Sequence, residues 1–169
     1  MGRVVLQLAD DVSTDIIYPG RYMATVLPSE TPQFAFADDA EFNARLRAGE
    51  VVPGSVIVGG KNFGCGSSRE QAASCLCGPG LVVIARDFAR IFLQNAINLG
   101  LPLVVCPTIE AKPGDEVEVA TGEVVNLTSG GRFPIVPLPP ARQAIIDAGG
   151  LIAYTRQRLI EEMGARPSA

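Results

Sequence analysis

The chain has 169 residues, enough for one domain that buries roughly two-thirds of its unfolded surface without a disulfide or a metal to hold it. Its 14 Lys and Arg against 18 Asp and Glu give a net charge of -4 with no basic run, which argues against a nucleic-acid partner. Although 47% of the residues are hydrophobic, every apolar stretch is broken by a charge, Gly or Pro well before the ~20 residues of a membrane span, so no membrane partner is expected.

Histidine is absent, which removes the commonest general base and the commonest zinc ligand, and with them a self-contained Ser-His-Asp triad. The four cysteines, Cys65, Cys75, Cys77 and Cys106, lack metal spacing, since Cys75-Leu76-Cys77 is C-x-C with no C-x-x-C partner. The opening Met1–Asp10 is too short an apolar stretch for a signal peptide, so a cytoplasmic chain with free thiols is expected, and any metal its function uses comes from elsewhere.

Arg3–Leu8 reads as a first strand and runs into Asp10-Asp11-Val12-Ser13-Thr14-Asp15, a cluster of turn and cap formers. Thr14 and Asp15 could serve a substrate, but local backbone capping is the favoured use of those residue types. Pro28–Pro32 reads as irregular, and Asp38–Leu46 as a short helix with acids early and arginines late. Ser55–Val58, Leu81–Ala85 and Leu103–Cys106 are apolar, β-branched runs separated by helices expected over Arg69–Cys77 and from Asp87 to Leu99. That alternation predicts an α/β fold with parallel pairing. Glu116–Val119 and Glu123–Leu127 alternate like half-exposed strands of a meander or small barrel, followed by helices over Pro140–Ala148 and Leu151–Met163. The domain is drawn as 1–163, with 164–169 as a flexible tail.

The chemistry gathers in Gly59-Gly60-Lys61-Asn62-Phe63-Gly64-Cys65-Gly66-Ser67-Ser68-Arg69-Glu70-Gln71. Its glycines allow positive φ and close approach to a ligand, and the helix start after it favours an anion such as a carboxylate. As a P-loop it fails at Ser55 and Asn62, and as a dinucleotide fingerprint it fails at Arg69, which occupies the last glycine position. Ser67 with Glu70 and Ser68 with Gln71 are both capping boxes. In the second register Ser68 caps the helix, Ser67 keeps its hydroxyl free, and Arg69 offers a fork to a carboxylate.

The motif Gly60-x-Asn62-Phe63-Gly64-x-Gly66-Ser67-Ser68-Arg69-Glu70-x-Ala72 is followed by Ile84-Ala85-Arg86-Asp87-Phe88-Ala89-Arg90-Ile91-Phe92, Asn95 and Asn98-Leu99-Gly100. With Ser13-Thr14-Asp15-Ile16-Ile17-x-Pro19-Gly20 these stretches closely resemble the small subunits of 3-isopropylmalate dehydratases, in the aconitase family, over nearly the whole chain. The resemblance implies a single swivelling β/β/α domain with a mixed, partly parallel sheet. It also implies that the chain itself binds no cofactor: a [4Fe-4S] cluster and the histidines sit on a separate aconitase-like large subunit. By motif match Ser67 resembles the catalytic base, Ser68 and Arg69 contacts to a substrate carboxylate or oxyanion, and Thr14 and Asp15 active-site polar residues.

The turn Tyr22-Met23-Ala24-Thr25 stands where the family reads the substrate's variable arm, and here it lacks the arginine associated with homoaconitase-like specificity. An apolar or short arm is implied: isopropylmalate in leucine biosynthesis first, with dimethylmalate, citraconate or maleate as related acids. Where family members often carry histidine this chain has Gln71, which keeps the capping role but removes a charge. A hydroxyl base is demanding, because an aliphatic hydroxyl is a weaker acid than even Tyr at ~10. The guanidinium, the loop N–H groups and the helix start would have to stabilise the alkoxide. The competing expectations are a non-catalytic assembly module with the same fold and, third, a nucleotide-binding domain.

Overall fold

The computed structural model describes residues 1–164. The elements are β1 (Gly2–Gln7), α1 (Thr14–Ile17), a 3-10 turn (Gly20–Tyr22), a second one (Thr31–Phe34), α2 (Ala40–Arg47), β2 (Val56–Gly59), α3 (Glu70–Cys77), β3 (Val82–Ala85), α4 (Arg90–Leu99), β4 (Leu103–Val105), β5 (Glu116–Ala120), β6 (Glu123–Asn126), β7 (Arg132–Pro134), α5 (Pro140–Asp147) and α6 (Leu151–Gly164).

The strands form one seven-stranded sheet in the order β4-β3-β2-β1-β5-β6-β7. β1 pairs parallel with β2, β2 with β3 and β3 with β4, whereas β1–β5, β5–β6 and β6–β7 are antiparallel. The expected α/β layer and meander are therefore two halves of a single mixed sheet, joined at β1. The uninterrupted apolar runs of β2 and β3 follow from burial on both faces. Ile57, Val83 and Ala85 face the larger core with Phe36, Phe42, Leu76, Phe92 and Ile97, while Val56, Val58 and Ile84 face a smaller one with Cys106, Ile109, Val117 and Val124.

Several elements differ from the sequence reading. Pro32 and its neighbours form the second 3-10 turn, and Arg132–Pro134, too short and proline-bearing to read as a strand, closes the meander as β7. The helix expected from Asp87 begins at Arg90, because the Asp87 carboxylate accepts the Asn62 N–H at 2.6 Å instead of capping. The last helix runs to Gly164, and the rest of the expected tail lies outside the described residues.

Candidate active site

The site forms at the carboxyl ends of β1 and β2, where two loops lace together. Gly60 N–H donates to Ala9 O (3.2 Å), Lys61 N–H to Asp10 Oδ1 (2.7 Å), Asp11 N–H to Lys61 O (2.8 Å) and Gly64 N–H to Val12 O (2.7 Å). Asp11 and Asn62 both hold positive φ, 58° and 56°, which their residue types tolerate, and the Asn62 side-chain amide donates to Asp11 Oδ1 at 2.7 Å. Gly64, at φ 81°, has no room for a side chain: a Cβ there would lie 2.2 Å from the Phe92 ring. Phe63, Phe88 and Phe92 pack ring on ring beneath the loop, with centroids 5.3–6.2 Å apart. The backbone course past Cys65 is thereby fixed from below, while Gly66, Ser67 and Ser68 stay exposed above.

Ser13 takes the local capping role expected of its neighbours, accepting the Ile16 N–H at 3.3 Å at the start of α1. This frees Thr14 and Asp15 for contacts about fifty residues away, contrary to the favoured local reading. Thr14 Oγ1 donates to Ser67 O at 3.0 Å and its N–H to Cys65 O at 2.8 Å, and Asp15 pairs with the Arg69 guanidinium. That bond, above all, holds the Asp15 carboxyl below its ordinary pKa of 3.8, partial burial opposing it. Arg69 Nη1 also donates to Tyr18 O (3.4 Å), and Arg69 Nε is buried without a partner. The Arg69 side chain is only 12% exposed, so the guanidinium is held at the floor of the site.

The capping register is corrected. Helix α3 starts at Glu70 with Arg69 at its N-cap position, no side chain caps it, and neither Ser68 nor Ser67 bonds to the helix through its hydroxyl. The Arg69 N–H instead turns back to Ser67 O at 2.8 Å. Arg69 in extended backbone, φ -101° and ψ 111°, pushes both serines one step outside the helix, so the free hydroxyl expected of Ser67 is shared by Ser68. Among the described residues the backbone N–H groups of Gly66, Ser67, Ser68, Glu70 and Gln71 donate to no acceptor. Five free donors beside a guanidinium make a surface that suits an anion or a developing oxyanion.

The turn after Gly20 borders the same place, since a Cβ on Gly20 would lie 3.3 Å from Asp15 Oδ1 and 3.4 Å from Arg69 Nη2. Tyr22 stacks on Phe34 with centroids 4.2 Å apart, Met23 and Ala24 are exposed, and Thr25 N–H closes the turn onto Tyr22 O at 2.9 Å. Arg21 is engaged by Asp38 and lies over the Tyr22 ring. Sequence reasoning missed Tyr18, a fully buried side chain whose hydroxyl reaches this turn. Between Ile17 and Pro19 it reads only as core, and nothing local signals its partners.

Among the described residues no three of the Cys, Asp and Glu side chains gather to hold a metal ion, and all four thiols are free. Cys75 is fully buried and Cys77 half-buried, and burial pushes both thiols up, the Cys77 thiol to about 12. A cavity of about 600 Å³ lies elsewhere, against Val56, Val82, Val104 and Ile135, and takes in none of the site residues. Gly66, Ser67, Ser68 and Glu70 lie exposed at the surface.

Residues 32–107 match the aconitase C-terminal domain family. The chain is 41% identical over 164 residues to a 3-isopropylmalate dehydratase small subunit from Thermodesulfovibrio yellowstonii, covering 94% of this chain and 95% of the relative. It is 45% identical to the isopropylmalate/citramalate isomerase small subunit of Methanocaldococcus jannaschii, at 93% and 94% coverage. This chain belongs to the 3-isopropylmalate dehydratase small-subunit family. The crystal structure of 3-isopropylmalate dehydratase (leuD) from M. jannaschii superposes with a TM-score of 0.88 at 38% identity, covering 98% of each chain. That neighbour shares the fold described above.

Proposed function

We propose that this chain is the small subunit of a cytoplasmic two-chain hydro-lyase that isomerises 3-isopropylmalate and 2-isopropylmalate, a step of leucine biosynthesis, by dehydration and rehydration. The observation that carries the reading is the exposed Ser67 hydroxyl, free of any helix cap, on a loop whose Gly66, Ser67, Ser68, Glu70 and Gln71 N–H groups have no acceptor among the described residues and which leads into the Arg69 guanidinium. An open half-site needs a second surface to exclude water, and an aconitase-like large subunit supplies it together with a [4Fe-4S] cluster that this chain's side chains do not fit. When bound there, the cluster supplies a Lewis acid for the substrate's hydroxyl and carboxylate.

Ser67, as the alkoxide, takes the proton from the carbon next to a substrate carboxylate, and the hydroxyl on the neighbouring carbon departs as water with a proton that an acid on the large subunit would supply and recover on readdition. Readdition with the carbons exchanged returns the proton and completes the isomerisation. The unpaired N–H groups of Gly66, Ser67, Ser68, Glu70 and Gln71 favour the alkoxide before transfer, and the remaining N–H groups of Arg69, together with the Ser68 hydroxyl, receive a substrate carboxylate. Thr14 holds Ser67 in place through its carbonyl, and Asp15 keeps Arg69 extended toward the loop.

Tyr22, Met23, Ala24 and Thr25 receive the variable arm. An apolar arm fits, because the turn's cation, Arg21, is already engaged by Asp38 and Tyr22 and is not free for a third carboxylate. Citramalate, with a shorter arm, appears in the name of the M. jannaschii relative and is the second acid to test. In the reconstituted complex, Ser67→Ala should lower kcat by about a hundred- to ten-thousandfold while leaving assembly intact. Turnover close to wild type would remove Ser67 as the base.

A further inference from the structure

We propose that Tyr18 is a positioning residue that sets the spacing between the Arg69 guanidinium and the Tyr22–Thr25 turn, and so tunes which side arm is accepted. The inference rests on the hydro-lyase reading above for its consequence, though not for its mechanics. Tyr18 touches both halves of the site at once. Its carbonyl accepts from Arg69 Nη1 at 3.4 Å, and its own N–H is tied to Thr14 O at 2.8 Å, which joins its main chain to the residue that holds Ser67. Its hydroxyl lies 3.1 Å from Tyr22 O and 3.3 Å from Thr25 O, the two ends of the closed turn, and its single proton is shared between them.

The ring between these two ends cannot shift. Tyr18 has no exposed surface, its ring packs edge-to-face with Phe34 at a centroid distance of 6.2 Å, and Phe34 in turn stacks on Tyr22. A phenol with only two side-chain torsions, packed on every side, is a strut of fixed length. One end fixes the anchor for the carboxylate common to every substrate, and the other fixes the turn that receives the part that varies. Changing the strut should alter discrimination between arms more than it alters chemistry at Ser67.

The test is Tyr18→Phe, which keeps the buried ring and removes only the hydroxyl. In the complex with the large subunit, KM for 3-isopropylmalate should rise about three- to tenfold, the range expected for one hydrogen bond. KM for citramalate and kcat for both acids should stay near wild type. Equal effects on the two acids, or none, would mean that the hydroxyl merely satisfies nearby carbonyls and would overturn the proposal. In the isolated chain, amide hydrogen exchange over residues 22–27 should quicken in Tyr18→Phe while α3 keeps its protection, and an unchanged turn would refute the strut. A wild-type complex that turned over neither acid would instead defeat the hydro-lyase reading and with it the selectivity claim, the exchange result standing by itself.

Discussion

At the scale of single residues, Ser67 and Arg69 owe their availability to what their neighbours do. Ser13 caps α1, the Arg69 N–H folds back on Ser67 O, and Thr14 holds that same carbonyl, so the Ser67 hydroxyl has no local task. Asp15 carries a pH signature. A carboxyl whose pKa is lowered by folding contributes stability that is fully present above its unfolded value, ~4, and is lost as pH falls through the lower folded value. Wild type should therefore lose a small component of Tm below about pH 4 that Asp15→Asn lacks, small because Asp15 is 57% exposed. Parallel melting curves for the two proteins from pH 7 to pH 2 would deny the tie any part in stability. The thiols offer a second check: iodoacetamide at pH 8 should label Cys65 first in the native chain, with Cys75 and Cys77 protected until unfolding. At this scale spacing offered two capping registers, and the fold takes neither, so Ser67 and Ser68 both keep their hydroxyls free because Arg69 is in extended backbone at the helix start. The pairing of Asp15 with Arg69 was not legible, because Asx and Ser/Thr residues advertise local capping equally well.

At the scale of elements, the glycine loop is shaped by the aromatic cluster under it. Gly64→Ala would drive a Cβ into Phe92 and hold alanine at positive φ, a combined cost of about 2–4 kcal/mol. Denaturant unfolding should register it as a lowered midpoint. Phe92→Ala should cost about 3–5 kcal/mol and also loosen the loop, seen as faster amide exchange at residues 62–68. β2 and β3 were legible from their apolar runs, and α2 from its cap and charge order. The starts of α3 and α4 were not, since Ser68 and Asp87 look like caps while the fold leaves one uncommitted and uses the other across the loop. Both residues that break the local rule at a helix start lie in or against the candidate site.

At the scale of the whole molecule, an open half-site with no histidine predicts dependence on a partner. The isolated chain should show no turnover of 3-isopropylmalate, and titration with the large subunit should restore activity to a plateau at stoichiometric mixing. Activity in the isolated chain would sink the two-chain reading. Sequence alone determined the class of the fold, because burial on both faces requires continuous apolar strands separated by amphipathic helices, and it singled out the glycine loop as the candidate site, because glycines before a serine pair and an arginine suit close approach to an anion. Tertiary structure alone decided which residues meet. Joining β1 to both halves of the sheet brings Thr14 and Asp15 onto Ser67 and Arg69, and Tyr18 is buried where it spans the guanidinium and the turn. Contacts made across fifty residues leave no local periodicity or cap signal, so only the folded chain could assign them.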